Sequence, residues 1–202
     1  MRIALNVLAA FSLLASAGLA GDEASRASDA LERPFAGGGR VRMELSAGDY
    51  DILAGDDDKI LVEWTVRDLG QLRSVEIATD IQGSEARIRS KGPSNHFHVT
   101  IRLPARSDLD VRLTAGDLEI NGIEGNKSIR SRAGDIKVDM GRVEDLGRVE
   151  ASLWAGDLHA EPLGVSKGGI FRSFEWDGKG RFDVRVRLLA GDIRLYSHAL
   201  RD

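Results

Sequence analysis

The chain has 202 residues, of which 42% are hydrophobic and 30% are charged. Its 28 basic and 32 acidic residues give a formal net charge of −4, which argues against a strongly basic nucleic-acid binder. The absence of cysteine excludes disulfide bonds, thiolate zinc sites, iron–sulfur clusters and cysteine nucleophiles. Glycine is unusually frequent, with 23 residues, and this abundance indicates many positions of special backbone conformation.

The first twenty residues have the layout of a secretory signal peptide. Arg2 supplies a positive charge, residues 3–19 are mostly apolar, and small side chains allow cleavage after Ala17 or Ala20. The apolar stretch is short for a retained membrane anchor, so we expect no transmembrane span after cleavage. Together with the lack of cysteine, this segment predicts export to the periplasm or the cell surface of a bacterium.

The segment that follows, residues 21–40, is predicted to be a flexible linker. It is polar, it shows no sustained periodicity, and it ends in three consecutive glycines. The best helix candidate of the chain, a weak one, lies at about residues 22–32. Residues 41–202 are predicted to form one β-strand-repeat domain.

The tripeptide Ala-Gly-Asp occurs six times; the copy at residues 54–56 sits in a different context, and the other five lie between segments of alternating apolar residues. Alternation of this kind indicates β-strands. Glycine adopts positive φ without a steric cost, and aspartate can bond a nearby backbone amide. We therefore predict five structural turns. Their residues are Gly48 and Asp49, Gly116 and Asp117, Gly134 and Asp135, Gly156 and Asp157, and Gly191 and Asp192.

The spacing of these copies favours a β-solenoid over a β-sandwich of hairpins. The copies that begin at positions 115, 133 and 155 are 18 and 22 residues apart, and the next step, to position 190, is 35. We interpret the long step as two units with a degenerate copy between them. A period of about 20 residues is typical of solenoids whose coils stack in sequence order. In hairpins, Arg132 and Lys137 would face each other as like charges.

A strand that ends in Pro104-Ala105 is followed by segments such as residues 114–120, Thr-Ala-Gly-Asp-Leu-Glu-Ile. In these features and in the later Gly-Asp copies, the chain resembles the bacterial putative-adhesin family of exported β-strand-repeat domains. The resemblance covers about residues 41–196. It implies a right-handed β-helix-like solenoid and a location in the cell envelope, and it implies no catalytic residues.

Four aromatic residues form a candidate binding patch: Trp154, Phe171, Phe174 and Trp176. Trp154 stands on the parity opposite to the apolar residues of its strand, so its side chain should point outward. Exposed aromatic side chains can bind sugars or partner proteins. In the alternative interpretation, the aromatic segment at residues 168–180 covers the open end of the solenoid.

Three sets of side chains have ligand types that metals use. The five turn aspartates or the acidic cluster at residues 49–58 could bind Ca²⁺, and His96 and His98 share one face of a predicted strand. We expect instead that each aspartate caps its own turn, that the acidic loop is solvated and that the histidines are surface residues. We predict no metal site, no cofactor and no catalytic residue.

These features predict an exported, non-catalytic module of the cell envelope that contacts an envelope protein or a glycan. Two alternatives remain open. One is a glycan-active enzyme in which Arg, Lys and Asp side chains converge in a solenoid groove. The other is a structural scaffold with no specific ligand. Neither the ligand nor the oligomeric state is specified by the sequence.

Overall fold

The structure is a computed structural model that describes residues 26–197, and most of these residues lie in fifteen β-strands. The all-β prediction is confirmed. The predicted signal peptide lies outside the described residues, as do residues 21–25 of the predicted linker. The strands are β1 (Ala27–Pro34), β2 (Arg40–Leu45), β3 (Asp49–Gly55), β4 (Lys59–Val66), β5 (Glu76–Gln82), β6 (Glu85–Lys91), β7 (His98–Pro104), β8 (Asp108–Leu113), β9 (Leu118–Asn121), β10 (Lys127–Ala133), β11 (Ile136–Asp139), β12 (Leu146–Ala160), β13 (Val165–Asp177), β14 (Phe182–Ala190) and β15 (Ile193–Tyr196).

Helical structure is limited to one short α-helix, α1 (Leu69–Leu72), and two 3-10 turns at Val143–Asp145 and Glu161–Leu163. Among residues 26–197 there is no helix with the length and apolar character needed to cross a bilayer.

The Gly-Asp turns join two series of parallel strands. Strand β10 lies between β8 and β14, whereas β11, which follows its turn, lies between β9 and β15. Strand β12 belongs to both series, because its first part pairs with β14 and its last residues pair with β15. In a hairpin the two arms of a turn would pair antiparallel with each other. The five motifs therefore lie at corners between two series of strands in one nearly closed sheet. The corner at Gly156 and Asp157 lies inside the continuous strand β12, so the prediction of a separate turn there is wrong.

A coil here means two strands joined by such a corner, and the coils do not stack in sequence order. The coil β14–β15 lies between the coil β10–β11 and β12, and the coil β2–β3 lies between β6–β7 and β8–β9. The prediction of sequential stacking is therefore wrong. The degenerate copy expected between the last two motifs is also absent from the described residues, because β13 fills this interval as an antiparallel strand. Since β13 occupies one edge of β12, β14 pairs with the other edge.

Alternation along the strands creates a continuous apolar interior. In β8, the side chains of Leu109, Val111 and Leu113 are buried, while Asp110 and Arg112 lie on the outer side. Because the parallel strands pair in register, the buried side chains of one coil stack on those of the next. Each fully buried aliphatic side chain contributes about 1.5–3 kcal/mol to stability.

Antiparallel strands cover both ends of the parallel stack. Strand β5 pairs with β6 at one end, where β1 also pairs with β4, and β13 pairs with β12 at the other end. Strand β1 corrects the expectation of a flexible linker, and of a weak helix, over these residues. It is held in register along β4 by main-chain pairing, and only Ala27 is deeply buried. An edge strand held in this way needs little apolar alternation, so the sequence gives a weak strand signal.

Candidate functional site

The five Ala-Gly-Asp corners stack directly on one another and form what we call the turn column. The N–H of Gly116 donates to the carbonyl of Ala133 at 3.0 Å, and the N–H of Gly134 donates to the carbonyl of Ala190 at 3.1 Å. A Cβ atom on Gly134 would lie 2.2 Å from the carbonyl oxygen of Gly116, and the φ of Gly134 is +105°. Both the close approach and the backbone conformation therefore require glycine.

The turn aspartates cap the neighbouring coil instead of their own turn. The carboxylate of Asp117 accepts a hydrogen bond from the N–H of Asp135 at 3.0 Å, and Asp135 accepts one from the N–H of Asp192, also at 3.0 Å. Asp192 accepts one from the N–H of Asp157 at 2.9 Å. The expectation of self-capping is wrong because parallel stacking brings the next backbone amide within reach of each carboxylate.

The histidines and the acidic loop are also arranged differently from a metal site. His98 Nε2 lies 3.1 Å from a carboxylate oxygen of Asp51, whereas His96 precedes β7 in a left-handed conformation with φ of 56°. The two histidines therefore do not share a strand face. In the acidic loop, Asp56 forms an ion pair with Lys59 at 3.1 Å. No group of three or more His, Asp or Glu side chains among residues 26–197 is arranged to hold a metal ion.

The structure separates the four residues of the candidate binding patch into two pairs. Trp154 of β12 and Phe171 of β13 lie opposite each other, with 54% and 69% of their surfaces exposed. Their rings meet edge to face, with 5.6 Å between the ring centroids. Phe174 and Trp176 are half-buried and pack against the hydrophobic core. The first pair is free to contact a partner, and the second covers one end of the core.

Leu189 extends the exposed pair, and we call Trp154, Phe171 and Leu189 the aromatic surface. Leu189 lies beside Trp154 on the neighbouring strand β14 and is 55% exposed. Together they line an open groove of about 460 Å³ whose other walls include Arg130 and Arg187. A large exposed apolar surface on an otherwise polar sheet face is a common mark of a binding site.

Phe171 holds a strained backbone conformation at the centre of this surface. Its φ is 53°, in the left-handed region that side chains larger than glycine rarely adopt. Such a conformation costs about 1–2 kcal/mol, and residues strained in this way cluster at binding sites. Sequence parity located Trp154, but no local signal in the sequence indicated the strain at Phe171.

A second groove, of about 700 Å³, adjoins the first along the turn column. Its charged lining residues are mainly basic, and the groove shares Arg130 and Ser131 with the groove at the aromatic surface. The two grooves therefore form one continuous surface. The charged side chains that line the second groove are Glu44, Arg89, Lys91, Arg112, Arg130 and Arg132.

The sequence analysis missed a separate cavity of about 550 Å³ that contains a buried lysine. Lys127 is only 2% exposed, and it lines this cavity together with Ile123, Met140 and Phe182. Its Nζ atom donates a weak hydrogen bond to the carbonyl of Gly125 at 3.4 Å. Burial lowers the pKa of the Lys127 amine to about 8.

Nearby carboxylates oppose this shift without cancelling it. Asp139, Glu124 and Asp108 each favour the charged amine and so raise its pKa, but desolvation outweighs them. The sequence did contain a signal for this site, because Lys127 stands on the apolar parity of β10, two residues before the buried Ile129.

No family model and no curated protein matches the chain. Among solved structures, the chain is similar to a putative cell adhesion protein from Clostridium sporogenes, with 11% identity and a TM-score of 0.57. That alignment covers 85% of this chain and 100% of the other. It is also similar to a putative adhesin from Bacteroides fragilis, with 9% identity, a TM-score of 0.27, and coverage of 87% and 100%. The first likeness shows a shared fold, whereas the TM-score of the second is too low to show one.

Proposed function

We propose that the protein is an exported, non-catalytic module of the bacterial cell envelope, built as a right-handed β-solenoid, and that it binds a glycan through the aromatic surface. The single observation that carries the proposal is the exposed Trp154–Phe171 pair beside Leu189. Flat aromatic rings pack well against the apolar C–H faces of sugars while their surroundings stay hydrated. Export is supported by the signal-peptide layout of residues 1–20.

A binding role suits the side chains at this groove. Its lining residues are arginine, serine, aromatic and aliphatic, a set that provides hydrogen-bond donors and stacking surfaces. The strain at Phe171 is also easier to understand in a binding protein, because a residue held in an unfavourable conformation keeps its ring available to a partner. The cell-adhesion name of the Clostridium sporogenes protein that shares this fold is consistent with a contact role.

The test is a glycan-binding measurement with the purified protein and matched variants. Trp154→Ala and Phe171→Gly should each weaken binding about tenfold or more, while the melting temperature changes little. Leu69→Ala is the matched control, because Leu69 is 71% exposed but lies on α1, outside the groove. This control should bind like the parent protein.

Phe171→Gly makes the experiment sharper because glycine accepts the left-handed conformation without strain. The variant should unfold at an unchanged or higher temperature while it loses binding. A parent protein that binds no glycan from a broad array, or equal binding by the parent and both aromatic variants, would refute the proposal.

A further inference from the structure

Three outward arginines stand in register on three neighbouring parallel strands. Arg130 of β10 is paired with Arg112 of β8 on one side and with Arg187 of β14 on the other. Adjacent strands lie about 4.8 Å apart, so these residues place three positive charges in a line across the sheet. We call Arg112, Arg130 and Arg187 the arginine row.

The arginine row is unpaired, in contrast to the next row of outward side chains. In that next row, Arg185 binds the carboxylate of Glu150 through two hydrogen bonds of 2.6 and 3.2 Å. Within residues 26–197, by contrast, the three arginines of the row form no ion pair and no side-chain hydrogen bond. Glu44 is the strand partner of Arg112, but the two side chains form no ion pair.

An unpaired row of this kind has an energetic cost. Like charges on directly adjacent strand positions destabilise a sheet. Nothing in the core depends on these three side chains, because all of them are exposed. A ligand that brings negative charge to the row would relieve the repulsion.

The position of the row indicates the shape of that ligand. Arg130 lines both the basic groove and the groove at the aromatic surface, and Arg187 precedes Leu189 by two residues on β14. The charges therefore run in one direction across the strands and lead to Trp154 and Phe171. A linear polymer with regularly spaced negative charges matches this arrangement better than a membrane surface, which has no linear order of charge.

From this juxtaposition we infer that the surface binds an acidic polysaccharide, whose carboxylates pair with the arginine row while a sugar ring packs on Trp154 and Phe171. The inference rests on the proposed function and names the chemical class of its glycan. Guanidinium groups bind carboxylates through two parallel hydrogen bonds, a geometry that a neutral sugar does not offer.

The test compares polygalacturonate with its fully methyl-esterified form, because the two polymers share one backbone and differ only at the carboxyl groups, which are charged in the first and neutral methyl esters in the second. The parent protein should bind the acid at least about tenfold more tightly, and binding of the acid should weaken when the salt concentration is raised. Arg130→Gln should remove most of this preference. Arg185→Gln is the matched control. It also removes one positive charge, but Arg185 lies one row away from the arginine row and already pairs with Glu150.

The outcomes separate the inference from the function on which it rests. If the parent protein binds both polymers equally and Trp154→Ala abolishes both interactions, the acidic preference is wrong and glycan binding stands. If neither polymer nor any other glycan binds, both proposals fail. If vesicles with anionic lipids bind through Arg130 and polygalacturonate does not, the assignment to a polysaccharide is wrong.

Discussion

Trp154 and Leu189 of the aromatic surface lie one or two residues before corners of the turn column, yet the two regions differ in how far the sequence varies from copy to copy. At the glycine of each corner the residue never changes, because the next coil leaves no space for a Cβ atom. At the position just before each of these five copies no two residues agree, and the side chain is exposed in four of the five; Ser46 is half-buried. These residues are Ser46, Thr114, Arg132, Trp154 and Leu189. The repeat therefore fixes the backbone and leaves the adjacent outward position free to acquire a binding side chain.

The largest effect should follow from Gly134→Ala in the turn column. The new Cβ would lie 2.2 Å from the carbonyl oxygen of Gly116 and would also occupy a residue at φ of +105°. Steric and backbone strain together should lower the free energy of unfolding by about 4 kcal/mol. Denaturant unfolding of the parent and the variant measures this loss.

Gly83→Ala is the control that separates the steric cost of close coil stacking from the cost of positive φ. Gly83 also has positive φ, at +61°, but an added Cβ there would meet nothing within 4 Å. It should cost only about 1–2 kcal/mol. Equal losses at Gly83 and Gly134 would contradict the view that the close approach between coils selects glycine.

Lys127 provides a test of a polar residue inside the apolar interior. Its pKa is about 8 in the folded protein against an ordinary value of 10.5, so the unfolded chain binds more protons between these pH values. Stability should therefore rise with pH across this window by up to about 3 kcal/mol, relative to Lys127→Met. Unfolding curves of both proteins from pH 7 to pH 10.5 measure the difference, and parallel curves would contradict the lowered pKa.

The two tryptophans on β12 and β13 separate stability from binding. Trp176→Ala should cost about 2 kcal/mol, because the half-buried indole packs against the core at the end of the stack. Trp154→Ala should stay within about 0.5 kcal/mol of the parent, since its ring is mostly exposed. Thermal unfolding distinguishes them, and a larger loss at Trp154 would make its role structural.

The aspartate caps should each contribute less to stability than the half-buried Trp176. Asp135→Ala removes a 3.0 Å hydrogen bond to the N–H of Asp192 and should cost about 1 kcal/mol. Asp49→Ala removes a contact of 3.5 Å to the N–H of Asp117 and should cost less. A larger loss of unfolding free energy for Asp49→Ala than for Asp135→Ala would show that the carboxylates act mainly within their own turns.

Much of this architecture could be predicted from the local pattern of the sequence. Alternation predicted the strands, and the phase around each Gly-Asp pair predicted a hairpin turn or a corner, because both depend only on nearby residues. The stacking order could not be found in this way, since the partner of β14 is decided by which edge of β12 is free. Strand β1 was missed because pairing along an edge leaves little trace in the side chains.

The candidate site was predictable only where it follows strand parity. The outward direction of Trp154 follows from alternation, but its partner Phe171 lies 17 positions later on an antiparallel strand whose register the sequence does not reveal. The arginine row could not be predicted for the same reason. Each arginine looks like an ordinary surface residue in its own strand, and the row exists only because three strands distant in sequence align in register.

The placement of the coil β14–β15 between two earlier parts of the chain has a consequence for folding. In a stack assembled in sequence order, each new coil could add to a finished surface, and stability would grow from one end. Here β10 and β12 are joined only through β14, so the facing edges of these two strands stay unpaired until residues 182–190 have formed β14. We expect folding of this protein to be a single cooperative event that is completed when its last coil enters, with few stable partial structures on the way.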